Sequence, residues 1–255
     1  MCADVKGEGS TFLFIHGFGG SAGRWVSQIE YCRPLGRVLA VDLPGHGNAP
    51  WQNETLGQMA DGVGEALDRQ AIDRNVIVVA SSFGGLVALD LWQKRPQFFK
   101  RIVFVGSVPR FTWTEDFPAG LNAAKISSLR AQLARDFIVG LDAFFRGLFT
   151  PRERTSPRYA FIKQIRKEAP PPSIDALNVF LDILGEQDLR SVLQTVTVPV
   201  DFVLGDADYI CPPVVVDPLR MLCPYAKITV MPGCGHLPFL SEPDAFNALL
   251  KDHVV

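Results

Sequence analysis

Residues 76–85 read VIVVASSFGG, and residues 86–94 continue as LVALDLWQK. A β-branched apolar run gives way to small residues and then to a helix-length segment, so the stretch predicts a buried strand, a tight turn and a helix. Such a turn displays the side chain at its apex, here Ser82, with its backbone strained. The residues two before and two after the apex approach one another closely and must be small, as Ala80 and Gly84 are. Glycine is usual at the first of these positions, and alanine adds a single methyl group. Ser81 is the competing apex, but it would put Val79 where a small residue is required. Ser82 is therefore the candidate nucleophile.

Working outward, apolar and β-branched runs recur at 11–15, 37–41, 75–80, 101–105, 200–204 and 226–230, three of them closed directly by glycine or aspartate. Helix-length segments at 55–69, 84–94, 213–222 and 243–251 lie between or after them. Strand alternating with helix predicts a mostly parallel sheet with helices on both faces. The alternation lapses from residue 111 to residue 188, where the pattern is helical, rich in arginine and phenylalanine, and broken by Pro170-Pro171-Pro172. The expected organisation is a core over 1–110, a helical cap inserted over 111–188, and the rest of the core over 189–255.

The chain has 255 residues, 47% of them hydrophobic and 20% charged, which suits one sizeable core. The first ten residues are polar, and no apolar run approaches a membrane span, so a cytoplasmic location is the expectation. Five scattered cysteines (Cys2, Cys32, Cys211, Cys223, Cys234) form no CxxC pair, so reduced thiols, no metal and no cofactor are expected. A net charge of −2 points away from nucleic acid. The charge is uneven, however: residues 130–168 carry nine basic and four acidic side chains. A solvated helical face accounts for that cluster as readily as a binding surface does.

A serine hydroxyl needs a base within hydrogen-bond reach. His16 and His46 sit in glycine-rich turns directly after the first two strands, and His253 is close to the chain end. His236, in GCGHLPF after the last strand, is the candidate base. The carboxylate that would orient it is expected after strand 200–204, where GDADYICP offers Asp206 and Asp208. Backbone amides of Phe83, after the nucleophile, and of Phe18, in HGFGG after the first strand, are the candidates for an oxyanion hole. HGFGG lacks the lysine of a phosphate-binding loop and the spacing of a dinucleotide fingerprint.

Together, HGFGG (16–20), DLPGHG (42–47), SSFGG (81–85), GDADYICP (205–212) and GCGHLPF (233–239) resemble the α/β-hydrolase superfamily, in its cap-bearing carboxylesterase branch. The match runs almost end to end, and the antiparallel strands that usually open the fold look shortened or absent. The order serine, acid, histidine is the order of that fold, and its usual Gly-x-x-Asp spacing after this strand makes Asp208 the acid. The stretch IDALNVFLDILGEQDLRSVLQTVTVP (174–199), above all DLRSVL, is similar to the cap exit of the pimeloyl-[acyl-carrier protein] methyl ester carboxylesterases of biotin synthesis. That resemblance implies a nucleophile, acid and base at Ser82, Asp208 and His236, with oxyanion amides at Phe18 and Phe83. It also implies a substrate borne on an acyl-carrier protein and gripped by cap cations, for which Arg146, Arg152, Arg158, Lys163 and Arg166 are the candidates. Phe111, Trp113, Phe144, Phe145 and Phe149 are candidates to line an acyl pocket, although aromatics at helical spacing are more often core. The alternatives are a general esterase for small-molecule esters, a carbon–carbon bond hydrolase with the same triad, and a hydrolase-fold receptor that scarcely turns over, which an intact triad disfavours. A haloalkane dehalogenase would need aspartate at position 82.

Overall fold

The computed structural model describes residues 9–251, so Cys2 and His253 lie outside the described residues. Six strands, β1 (Thr11–Ile15), β2 (Arg37–Val41), β3 (Val76–Ser81), β4 (Phe99–Val105), β5 (Val200–Gly205) and β6 (Lys227–Met231), form one sheet in the order β2-β1-β3-β4-β5-β6. Every pairing between neighbours is parallel, and no antiparallel strand precedes β1 among the described residues. All residues of β1, β3 and β5 are buried, because helices cover both faces of a parallel sheet. This is why β1 and β3 read as largely apolar runs rather than as alternating ones, while β5 interrupts its run with one buried acid, Asp201, paired with Arg101.

Among the described residues, twelve α-helices connect and cover the strands. α1 (Val26–Cys32) precedes β2, α2 (Leu56–Arg69) precedes β3, and α3 (Gly84–Lys94) leaves the turn after β3. α2 begins at a capping box in which Thr55 and Gln58 satisfy each other's backbone amides. Between β4 and β5 the chain forms α4 (Ala123–Arg135), α5 (Phe137–Gly147), α6 (Pro151–Thr155), α7 (Pro157–Glu168), α8 (Ile174–Glu186) and the short α9 (Arg190–Leu193). α10 (Val216–Leu222), α11 (Pro238–Ser241) and α12 (Pro243–Lys251) complete the chain.

The helices from α4 to α8 are tied to loops that follow the strands. Ser173 N donates to Gly45 O at 2.7 Å, His236 N to Leu148 O at 2.8 Å, and Leu189 N to Pro109 O at 2.9 Å. Aromatic packing reinforces these links: Phe180 on α8 stacks on Phe83 with ring centroids 4.0 Å apart. Gln28 of α1 is fully buried and donates to both Phe239 O and Asn247 Oδ1, which anchors the C-terminal helices to the first. No helix is long and apolar enough to cross a membrane among the described residues.

Candidate active site

β3 ends at Ser81, and the next residue, Ser82, has φ +52°, a left-handed conformation that non-glycine residues rarely adopt. It is held there from both sides: Ser82 N donates to Val105 O at 2.9 Å, while Ser82 O accepts from Gly85 N at 2.9 Å and from the buried Ser107 Oγ at 2.7 Å. A β-carbon at Gly84 would lie 2.7 Å from His16 O, so the helix can start this close to β1 only without a side chain. The turn and the strain expected from VIVVASSFGG are both present.

Asp208 lies on the loop after β5 and is 3% exposed. Its Oδ1 accepts from the amides of Ile210 (2.8 Å) and Cys211 (3.1 Å), and its Oδ2 lies 2.7 Å from His236 Nδ1. The neighbouring Asp206 is exposed and accepts from Gly233 N at 2.7 Å, bridging the turns after β5 and β6. The carboxylate therefore fixes the proton on Nδ1 and leaves the Nε2 lone pair of His236 free. That Nε2 is buried without a hydrogen-bond partner, and it shares a small chamber with Ser82, Gly17 and Phe18.

The amides of Phe18 and Phe83 donate to no protein group among the described residues, while the rings beside them are fixed by packing. Phe83 lies against Phe180, and Phe18 meets Phe144 edge-on at 5.1 Å. The loop bearing Phe18 is braced by two imidazoles. Leu43 N donates to His16 Nε2 (3.0 Å) and Gly19 N to His46 Nε2 (3.1 Å), so each ring must carry its proton on Nδ1, which faces a carbonyl: Gly17 O at 2.8 Å and Pro44 O at 3.1 Å. Burial pushes both imidazoles down to about 3.

Ser82 also opens onto a cavity of about 310 Å³ walled by Phe18, Phe111, Phe144, Leu181 and Ile210, with Lys125 and Tyr209 among its borders. Phe111 and Phe144 are thus at the cavity. Trp113 is 55% exposed, and Phe145 and Phe149 pack edge-on against each other at 5.3 Å in the core, so these three are absent from its wall. Among the basic candidates, Arg146, Arg152 and Lys163 are exposed. Arg158 instead donates to Leu240 O (3.1 Å) and Ser27 Oγ (2.6 Å), and Arg166 pairs with Asp142 at 2.5 Å. Asp208, Cys211 and His236 bring three potential metal ligands within 4.8 Å of one another. The thiol does not suit that use: burial pushes Cys211 well above its ordinary range, and its Sγ donates to Gly106 O.

Sequence reasoning missed two residues here. Glu153 is 6% exposed and accepts from Thr150 N (2.6 Å) and from Gly235 N (3.1 Å to each oxygen), so a carboxylate on α6 holds the residue before His236. Its signal was legible as the capping box of Thr150-Pro151-Arg152-Glu153. Gly106, with φ +54°, lies under the histidine: a β-carbon there would be 2.6 Å from His236 O.

A profile of the Alpha/beta hydrolase family matches residues 12–249. The chain belongs to this family. Among curated relatives, it is 34% identical to the pimeloyl-[acyl-carrier protein] methyl ester esterase of Pectobacterium atrosepticum, over 95% of this chain and 94% of that one. It is 30% identical to the protein of the same name from Nitrosomonas europaea, over 95% of each chain. Among solved structures, an esterase from Exiguobacterium antarcticum superposes with a TM-score of 0.89 at 21% identity, covering 98% of this chain and 93% of that one, a likeness of fold.

Two outcomes follow from these α/β-hydrolase loops. Unfolded, His16 and His46 take up a proton near 6.5, and folded only near 3, so the stability they confer is complete above the first value and declines as pH falls toward the second. Each contributes up to about a tenfold fall in the folding equilibrium per pH unit, visible as a falling urea midpoint across that window. Glu153→Gln turns one acceptor toward Thr150 or Gly235 into a donor, and is expected to cost about 1–3 kcal/mol in the same assay.

Proposed function

We propose that this α/β hydrolase is a serine carboxylesterase that cleaves the methyl ester of pimeloyl-[acyl-carrier protein], giving the free carboxylate and methanol. The observation that carries the chemistry is the buried pair of Asp208 and His236, whose unpartnered Nε2 shares a chamber with the strained Ser82. The substrate is supported by the full-length similarity to relatives named for that activity.

In this reading Ser82 Oγ attacks the ester carbonyl while His236 Nε2 takes its proton, and Asp208 stabilises the resulting imidazolium. Charge developing on the carbonyl oxygen is met by the amides of Phe18 and Phe83. His236 then protonates departing methoxide, which leaves as methanol, and returns as general base for the water that frees the acyl group from Ser82. The acyl chain occupies the cavity that opens from Ser82, and residues 111–188 act as the cap that walls it. Exposed cations on that segment, Arg146, Arg152 and Lys163, meet the acidic carrier protein, and the reaction takes place in the cytoplasm.

Purified protein is offered the methyl ester of pimeloyl-carrier protein beside a short-chain p-nitrophenyl ester. Both are expected to be cleaved, with KM for the carrier substrate rising at high salt and that for the small ester unchanged. Cleavage of the small ester alone refutes the carrier substrate. Ser82→Ala and His236→Ala are expected to lower kcat by about a thousandfold or more on both substrates. Asp208→Asn should follow them, whereas Asp206→Asn should retain most of the activity.

A further inference from the structure

The most unusual charge in the molecule is Arg24, in the short 3-10 turn Ala22–Trp25. Its residue is 6% exposed, its guanidinium donates to Gly19 O, and no carboxylate among the described residues pairs with it. Burial, then the nearby charge of Arg166, pulls it down to about 9. A buried cation with no counter-charge is costly unless an anion completes it. Arg24 and Arg166 also flank the same ring, with guanidinium carbons 5.2 Å and 4.6 Å from the centroid of Phe145.

The space that Arg24 faces is a second cavity, of about 340 Å³, separate from the one walled by Phe111 and Leu181. Its border carries Arg24, Lys163, Arg166 and Lys167 against a single acid, Asp142, which Arg166 already occupies at 2.5 Å. Arg24 also borders the chamber of Ser82 and His236, so whatever sits against it lies one side chain from the reacting groups.

We propose that this second cavity is an oxyanion-binding site that takes a phosphate group, with Arg24 as its buried contact and Lys163 and Lys167 at its exposed mouth. Four cations against one acid suit a dianion better than a monocarboxylate, and a guanidinium fork matches two phosphate oxygens. The inference goes beyond the esterase reading and does not depend on it, because its test needs no turnover.

Isothermal titration with inorganic phosphate at low ionic strength reads the site directly. Wild-type protein is expected to bind one phosphate, and Arg24→Met to bind it about tenfold more weakly or worse, the loss expected for one hydrogen bond to a charged group. Ile138→Glu puts a carboxylate at the mouth on a side chain that is already 58% exposed, and should weaken binding comparably in a protein whose core is untouched. Titrating pantetheine 4′-phosphate in parallel separates two sources of the same chemistry: equal affinity supports a site for free phosphate, and distinctly tighter binding supports one for the phosphate of a carrier arm. No measurable phosphate binding by the wild type overturns the proposal. So does binding that Arg24→Met, folded by circular dichroism, and Ile138→Glu both leave undiminished.

Discussion

The backbone of Ser82 stays at φ +52° in a turn that two segments approach too closely for a side chain at Gly17 or Gly84. Strain of this kind persists where neighbouring structure over-determines it. Here the neighbours are mostly main chain: Val105 O and Gly85 N bond the serine's own backbone, the Ser107 hydroxyl adds one side-chain bond, and β1 passes so close to Gly84 that no β-carbon fits between. Gly17 makes the same concession across the turn, since a β-carbon there would come 2.8 Å from Ser82 Cβ. The register of β3 between β1 and β4 and the side-chain-free approach of HGFGG are thus one requirement seen from two elements.

Electrostatics follows from that closeness. Packing the first loop onto the turn buries two imidazoles, and buried imidazoles are stable neutral, with Nδ1–H given to a carbonyl and Nε2 left as an acceptor for an amide. The third buried imidazole differs in its partners. His236 has a carboxylate at Nδ1 and nothing at Nε2, so the same side chain that braces a loop at position 16 or 46 is left with an open lone pair at position 236. The difference arises from where the chain places Asp208, whose second oxygen is already committed to two backbone amides and is therefore held in one orientation.

Much of this was legible in the sequence, for identifiable reasons. Parallel strands buried on both faces announce themselves as runs such as VIVVA, and the turn after β3 announces itself by the sizes of Ala80 and Gly84. What the sequence concealed were pairings set by the tertiary fold. Asp206 and Asp208 sit two residues apart in one turn, and only the Gly-x-x-Asp spacing carried by the family resemblance singled out Asp208, the one that meets His236. Phe144, Phe145 and Phe149 share α5 and the residues just after it. Helical rotation separates the ring at the cavity wall from the two that pack in the core, but it does not say which face meets the cavity. Arg158 reads as one more surface cation, until its bonds to Ser27 and Leu240 make it a strut between α7 and the core.

Arg24 was the least legible, and its position explains why α5 carries so much of the molecule. One face of α5, through Ala143 and Phe144, meets the apolar cavity at Ser82, while Leu141 and Asp142 meet the basic one at Arg24. Phe145, buried on the same helix, receives the guanidiniums of both Arg24 and Arg166 at its ring, whose face tolerates cations. An apolar residue without a π face would fill the same space but would leave Arg24 with even less to offset its charge. Aromatic identity at 145 is therefore coupled to arginine at 24, across an interface between a helix after β4 and a loop after β1 that no local pattern in either segment discloses.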